Sequence, residues 1–136
     1  MTAGYSGTPL VKKLGIKPGA KVAFPGAPSH YRCLLGDLPE GVRVLRRVGR
    51  EMDFVHFFTN RHADLTRRFA TLKRALAHDG MMWISWPKKS SQLPKDLAES
   101  DVRRAGLNGG LVDVKICAVD DDWSGLKFVY RLEDRP

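Results

Sequence analysis

The chain has 136 residues, of which 43% are hydrophobic and 28% are charged, which suits one folded domain over residues 1–136. No run approaches the roughly 18 apolar residues of a membrane span, and Met1–Leu10 lacks a signal-peptide pattern. We therefore expect a cytoplasmic protein with no membrane association. Cys33 and Cys117 stand far apart without CxxC spacing, which indicates neither a disulfide framework nor a structural zinc site.

The net charge of +8 is unevenly distributed. Residues 1–50 carry nine basic and two acidic side chains, residues 51–90 carry seven and four, and residues 91–136 carry seven and nine. A basic N-terminal half could attract nucleic acid or another acidic partner. A solvated basic surface accounts for the same charges, so nucleic-acid binding is kept as an alternative and is not favoured.

The first predicted elements are a short helix, a short strand and a second short helix. Thr8 is expected to cap a helix whose first residue is Pro9. Gly15 should end this helix, because glycine adopts the left-handed conformation readily. The strand and the second helix follow at Ala20–Phe24 and Ser29–Leu35.

Two β-rich runs, Val42–Val48 and Asp53–Phe58, are separated by only four residues, whereas a parallel crossover usually takes a dozen or more. Either the first run is a strand that ends near Leu45, which leaves Arg46–Met52 to pass beneath a neighbouring strand, or the two runs form a local hairpin. Seven extended residues span roughly 23 Å, which is enough for the crossing. The first alternative is favoured.

A long amphipathic helix is predicted over Arg61–Ala77, with Thr59 or Asn60 as its N-cap. Apolar residues recur along it at spacings of four, three and four, the period of a helix that packs on one side. These residues are Leu65, Phe69, Leu72 and Leu76. The basic residues on the rest of the helix are expected to face solvent.

An Asp79-Gly80 turn is predicted to lead into Met81–Trp86, an almost wholly apolar run that is typical of a strand buried on both faces. A helix over Pro94–Ala105, ended by Gly106, comes next. Two period-2 runs joined by a short polar loop then predict an antiparallel pair at Leu111–Val119 and Leu126–Leu132. The order of elements predicts an α/β domain with a Rossmann-like, mostly parallel sheet, flanked by helices and ending in an antiparallel β-hairpin.

This order of elements resembles that of a shortened class I methyltransferase. The segments Ile16–Val22 and Leu76–Met81 resemble those that lead into the first and fifth strands of that fold. Methyltransferases bind S-adenosylmethionine with a glycine-rich loop after the first strand and an acidic side chain at the end of the second. Here the loop Phe24–Pro28 has one glycine between two prolines, and Arg46 and Arg47 stand at the end of the second strand. We therefore expect no cofactor.

Five segments spread over nearly the whole chain carry a second resemblance: Tyr5–Leu10, Lys12–Gly15, Trp86–Lys89, Val112–Lys115 and Trp123–Lys127. They are similar, in the same order, to the domain-of-unknown-function family 3052. That family consists of small bacterial proteins without an established activity. The resemblance therefore implies membership but no mechanism.

Ligands of open α/β sheets bind at the carboxyl ends of the strands, which places the candidate site on one rim. Within it, the two lysines and two serines of Trp86–Ser91 could hold a phosphate or carboxylate. Alternatively, these lysines are solvated and the serines cap the next helix. The candidate binding residues are Tyr5, Ser6, Thr8, Gly26, Trp86, Lys88, Lys89, Ser90, Trp123 and Ser124.

Two features of the rim have alternative interpretations. The run Asp120–Asp122 could bind a cation or pair with Lys88 and Lys89, but consecutive carboxylates at a hairpin tip are more often solvated turn residues. Trp123 and Tyr5 are either anchors for a partner or residues at the edge of the core. The sequence predicts no metal site.

No histidine or cysteine stands in a ligand or nucleophile pattern, and His56, inside a strand, is expected to be structural. No catalytic residue is predicted. We therefore favour a non-catalytic module on a methyltransferase-like scaffold that binds an anionic small molecule or a protein partner. The alternatives are a divergent transferase that uses S-adenosylmethionine or another nucleotide, and a basic nucleic-acid-binding protein.

Overall fold

The computed structural model describes residues 8–136, within which six strands form one sheet. The strands are β1 (Lys21–Ala23), β2 (Arg43–Leu45), β3 (Met52–Phe58), β4 (Leu76–Pro87), β5 (Leu111–Ala118) and β6 (Trp123–Tyr130). The helices are α1 (Leu10–Leu14), α2 (Tyr31–Leu35), α3 (His62–Ala75) and α4 (Glu99–Asn108), followed by a 3₁₀ turn at Leu132–Asp134. The strand order is β2-β1-β3-β4-β6-β5. β1 to β4 run parallel and β6 is antiparallel to β4 and β5, which confirms the predicted sheet and its final hairpin.

The chain crosses beneath β1 between the second and third strands, as favoured from the sequence. β2 pairs with one side of β1, where Leu45 lies opposite Ala23, and β3 pairs with the other side. The two β-rich runs therefore do not form a hairpin. Glu51, the last residue before β3, has a φ of 52°, a left-handed conformation that suits the turn into the strand.

Two hydrophobic cores lie on opposite faces of the sheet. One fills the space between the sheet and helices α3 and α4 and includes Phe57 and Val102. The other lies under α1 and α2 and includes Leu14. Neighbouring residues of β4 contribute to different cores, Trp83 to the second and Ile84 to the first, because side chains alternate along a strand. The burial of β4 on both faces confirms the prediction from its apolar run.

Helix α1 ends as predicted but begins one residue later. Gly15 has a φ of 87°, and the Ile16 N–H donates to the Val11 carbonyl at 3.2 Å, which closes the C-terminus. Pro9 is extended, with a ψ of 143°, and occupies the N-cap position that was assigned to Thr8. The prediction of a Thr8 cap was therefore wrong.

Strand β4 begins at Leu76, five residues before its predicted start. The Asp79-Gly80 pair, predicted as a turn, lies inside the strand, where the pairing with β3 shifts its register. A β-bulge adds residues to one strand without ending it. Gly80 suits this position because a Cβ there would lie 2.5 Å from the Met52 carbonyl oxygen. Helix α3 accordingly ends at Ala75.

Helix α4 begins at Glu99, five residues after the predicted start at Pro94. The segment before it lies against the start of α3 instead. The Asp96 carboxylate accepts the His62 N–H at 2.7 Å, and the Asp96 N–H donates to the Asn60 carbonyl at 3.1 Å. Asp96 thus satisfies one of the N–H groups that the first turn of a helix leaves free, and these contacts hold the segment out of the helix.

Gly106 lies inside α4, although the sequence predicted that it ends the helix. The helix continues to Asn108, and Gly109 follows as its C-cap. A Cβ on Gly106 would lie 2.0 Å from a ring carbon of Phe128, which is fully buried. The glycine therefore allows the close approach of α4 to β6 and does not terminate the helix.

Candidate functional site

The loops at the carboxyl ends of β1, β3 and β4 meet the tip of the β5–β6 hairpin along one edge of the sheet. The Phe58 N–H at the end of β3 donates to the Pro25 carbonyl after β1 at 2.9 Å. The Lys88 N–H after β4 donates to the Asp122 carbonyl in the hairpin tip at 2.8 Å. Polar and aromatic segments far apart in the chain are thus neighbours, as a parallel sheet requires.

A cleft of about 390 Å³ opens at this edge, between the end of β4 and the start of α4. Four of the predicted rim residues line it: Trp86, Lys88, Lys89 and Ser124. Trp86 is only 5% exposed and belongs to the first core, so it supplies an apolar wall. Three further polar residues of the lining were not found from the sequence, namely Lys95, Glu99 and Ser100.

The charge that faces the cleft is positive. Lys88 and Lys89 form no ion pair with any residue in 8–136. Lys95 is engaged by its own loop, because its ammonium group donates to two backbone carbonyls at 2.9 and 3.0 Å. The carboxylate of Glu99 accepts a hydrogen bond from Arg103 at 2.7 Å, and Arg103 also bonds Asp113 at 3.0 Å, so the negative charge of Glu99 is partly offset.

Asp120 and Asp122 shape the hairpin tip. One oxygen of Asp120 accepts the N–H groups of Asp122 and Trp123, both at 2.8 Å, and the other lies 2.8 Å from Nε2 of His30. Asp122 accepts a hydrogen bond from the Ser91 hydroxyl. In the described part of the chain, no three His, Cys, Asp or Glu side chains are grouped so that they could hold a metal ion.

The remaining predicted rim residues do not line the cleft. Ser90 and Thr8 are exposed, and Gly26 lies in the loop after β1 with a φ of 75°. Tyr5 and Ser6 lie outside the described residues.

Trp123 lies at the edge of the second core, which was one of its two interpretations. Its ring meets the ring of Phe58 edge-on, with centroids 5.2 Å apart, and it packs against the core formed under α1 and α2. The indole is half-buried, so it both closes the core and borders the rim.

A buried chain of three polar side chains has the outline of a catalytic group. Tyr31 Oη lies 2.6 Å from Nδ1 of His56, and Ser85 Oγ lies 2.7 Å from Nε2. Exposure is 1% for Tyr31 and 0% for the other two. Burial lowers the pKa of His56 to about 3 and raises the pKa of Tyr31, so neither group exchanges a proton near neutral pH. A neutral imidazole has one donor and one acceptor nitrogen, which the two hydroxyl groups match, and His56 is therefore structural.

The burial of His56 predicts that the protein loses stability in mild acid. In the unfolded chain a histidine has a pKa of about 6.5, whereas the pKa of His56 in the fold is about 3. Between these values the unfolded state binds the extra proton, so the free energy of unfolding falls as the pH falls. We expect it to be about 2 kcal/mol lower at pH 5 than at pH 8, measured by urea unfolding. A free energy of unfolding that stays constant between pH 5 and pH 8 would contradict the burial of His56 as a neutral imidazole.

The sheet order and the flanking helices define a Rossmann-like α/β protein with a class I methyltransferase-like fold. A SAM-dependent methyltransferase from Aquifex aeolicus is similar with a TM-score of 0.64 at 14% identity, over 88% of this chain and 86% of that chain. Fibrillarin from Aeropyrum pernix, in complex with S-adenosyl-L-methionine, is similar with a TM-score of 0.59 at 12% identity, over 88% and 73%. A structure described as the complex between the Haloferax volcanii Trm112 methyltransferase activator and "the putative methyltransferase" contains a chain with a TM-score of 0.64 at 11% identity, over 88% and 86%. At such identities the likeness shows the fold alone.

Residues 50–132 match the family described as "Protein of unknown function (DUF3052)". The match covers more than half of the chain, and the protein belongs to this family. No curated protein matches the chain. None of the helices in residues 8–136 is long and apolar enough to cross a membrane.

The residues after β1 and β2 do not fit S-adenosylmethionine. The loop after β1 is closed against β3, because Pro25 accepts the Phe58 N–H and a Cβ on Gly26 would lie 2.3 Å from the Phe58 carbonyl oxygen. Arg46 and Arg47, exposed after β2, stand where the methyltransferase pattern has an acidic side chain for the ribose hydroxyls. The cleft lies elsewhere on the rim, between the end of β4 and α4.

Proposed function

We propose that this protein is a non-catalytic binding module that holds an anionic small molecule in the cleft between β4 and α4. The observation that carries the proposal is the pair Lys88 and Lys89, which line a cleft of about 390 Å³ and have no ion-pair partner in residues 8–136. A cleft of this size suits a small molecule. Two ammonium groups beside the apolar wall of Trp86 favour a carboxylate or phosphate attached to an apolar group.

The position of the N-terminus of α4 also favours a negatively charged ligand. Ala98, Glu99 and Ser100 border the cleft, so the N-terminal end of α4, where the helix dipole is positive, lies at its wall. Arg103, which pairs with both Glu99 and Asp113, partly offsets the negative charge of Glu99. Lysine charge and helix dipole therefore attract an anion together.

A Lys88→Ala/Lys89→Ala variant tests the proposal. A thermal-shift screen of carboxylate and phosphomonoester metabolites at low ionic strength should find compounds that raise the Tm of the wild type, and the variant should lose most of that rise. Its unliganded Tm should change by less than about 2 °C, because solvated lysines without ion pairs contribute little to stability.

An Arg46→Ala/Arg47→Ala variant is the matched control. It removes two adjacent, exposed positive charges at the carboxyl end of β2, away from the cleft, and should keep the full ligand-induced rise. The proposal fails if no compound raises the wild-type Tm, if the rise persists without Lys88 and Lys89, or if both variants lose it equally.

A divergent transferase that uses S-adenosylmethionine or another nucleotide is the second candidate, because the solved structures that share the fold include methyltransferases. Calorimetry separates the two functions. We expect no binding heat with S-adenosylmethionine or its demethylated product, and micromolar binding of either would favour the transferase. A protein partner is a further candidate, because one solved structure with a similar chain is a complex with a methyltransferase activator.

A further inference from the structure

A second group of lysines lies on the face of the sheet that packs against α1. Lys115 on β5 and Lys127 on β6 are directly opposite each other in the antiparallel pairing. The Lys115 ammonium group donates to the Lys13 carbonyl in α1 at 3.3 Å. The Lys127 ammonium group lies at the end of α1, 3.8 Å from the position that a Cβ on Gly15 would take. The fold thus collects basic side chains from the two ends of the chain.

Lys115 and Lys127 lie opposite each other, and the charge of Lys17, in the segment after α1, also acts on the Lys127 ammonium group. Lys17, Lys115 and Lys127 form no ion pair with any residue that the structure describes. Like charges directly opposite on neighbouring strands destabilise a sheet. Partial burial, together with the charges of Lys115 and Lys17, lowers the pKa of Lys127. An anion bound among them would relieve this repulsion.

A pocket of about 240 Å³ adjoins the lysines. Gly15, Lys17 and Met81 belong to its wall, and Gly15 is also the residue beside the Lys127 ammonium group. Asp53 and Asp79 line the pocket as well, and their carboxylates are acceptors for hydroxyl or amino groups. Asp53 also accepts the Lys21 N–H at 2.8 Å.

We propose that Lys17, Lys115 and Lys127 bind the phosphate of a small phosphorylated molecule whose hydroxyl or amino groups face Asp53 and Asp79 in the adjoining pocket. Three ammonium groups match the charge and the acceptor oxygens of a phosphomonoester. The pocket is formed by the segment before β1, the beginning of β3 and the first half of β4. It lies at the end of the sheet where the parallel strands begin, whereas the β4–α4 cleft lies where they end. The two sites are therefore independent.

The test uses the full chain with Lys88→Ala/Lys89→Ala already introduced, so that the cleft on the other edge contributes nothing. Inorganic phosphate and glycerol 3-phosphate should each raise the Tm more than sodium chloride at equal ionic strength. Lys127→Met, added to this background, should weaken phosphate binding by about tenfold or more, the effect of losing one charge-assisted hydrogen bond. In phosphate-free buffer the same substitution should raise the Tm by about 2 °C, because it removes an opposed like charge.

Arg46→Met is the control. It removes one exposed positive charge next to β2, and β2 and β5 are the outermost strands on opposite sides of the sheet. It should leave the phosphate response unchanged. The proposal is overturned if phosphate acts no better than chloride, or if Lys127→Met keeps the wild-type affinity. Tight, salt-dependent binding of a short oligonucleotide without any response to glycerol 3-phosphate would also overturn it, in favour of a nucleic-acid surface.

Discussion

Replacing His56 with phenylalanine is expected to lower the free energy of unfolding by about 3 kcal/mol. The ring would still fit an aromatic environment, since His56 stacks on Phe58 with centroids 4.1 Å apart. The hydroxyl groups of Tyr31 and Ser85, however, would each lose a partner inside the core. An unsatisfied buried hydroxyl costs about 1–3 kcal/mol, and two of them account for the expected loss, measured by urea unfolding at pH 7.5.

A triple variant, Tyr31→Phe/His56→Phe/Ser85→Ala, is the control for this result. It removes both hydroxyl groups together with the imidazole, so no polar group is left unpaired and most of the lost stability should return. Its stability should also depend less on pH between 5 and 8 than that of the wild type. If the triple variant is as unstable as His56→Phe alone, the loss comes from packing and not from hydrogen bonding.

Replacing Gly26 with alanine is expected to cost about 3 kcal/mol of stability through two additive effects. An L-residue held at the observed φ of 75° is strained by about 1–2 kcal/mol. The new Cβ would also lie 2.3 Å from the Phe58 carbonyl oxygen, a backbone atom that cannot rotate away. Thermal unfolding should show the loss, and the amide signal of Phe58 should shift because its hydrogen bond to Pro25 is disturbed.

Gly19→Ala separates the two effects. Gly19 has the same φ of 75°, but a Cβ there would meet no atom within 4 Å, so only the conformational strain remains. The difference between the two variants therefore measures how tightly the loop after β1 is closed against β3. Equal losses in the two variants would mean that the loop yields, and that space for a cofactor can open at this point.

The spacing of hydrophobic residues was sufficient to predict α3 and the side of the helix that is buried. The spacing of Leu65, Phe69 and Leu72 identified the inner side of α3, and all three are buried. The short second strand was the favoured of two alternatives, because Arg46–Met52 is long enough in extended form to pass β1, and the structure confirms it.

The errors lie where contacts distant in sequence overrule local preference. Pro94 is a good first residue for a helix, but Asp96 is held against α3, and α4 starts later. The Asp101 side chain accepts the Ala98 N–H at 2.9 Å, but alanine at the N-cap lacks the hydroxyl group that makes a capping box recognisable in a sequence. Glycine often follows the last turn of a helix, which predicts an end at Gly106, and nothing in the sequence indicates that Phe128 packs on this glycine.

The position of the candidate site was more predictable than its composition. Loops at the carboxyl ends of parallel strands meet at one edge whatever their sequence, and Trp86, Lys88, Lys89 and Ser124 do border one cleft. Glu99 and Ser100 line the cleft because α4 begins at Glu99. The predicted start at Pro94 placed both residues inside the helix, so they were not recognised as part of the site. The opposed pair Lys115 and Lys127 depended on the register of the hairpin, which a bulge between Asp113 and Lys115 shifts.

Amide chemical-shift mapping with the strongest anionic hit of the metabolite screen tests most directly whether the cleft between β4 and α4 binds the ligand. We predict that the largest perturbations fall on Lys88, Lys89, Ser100 and Ser124, the residues that border it. Perturbations concentrated on the loop after β1, with these amides unmoved, would contradict the account and point to a ligand site where methyltransferases bind their cofactor.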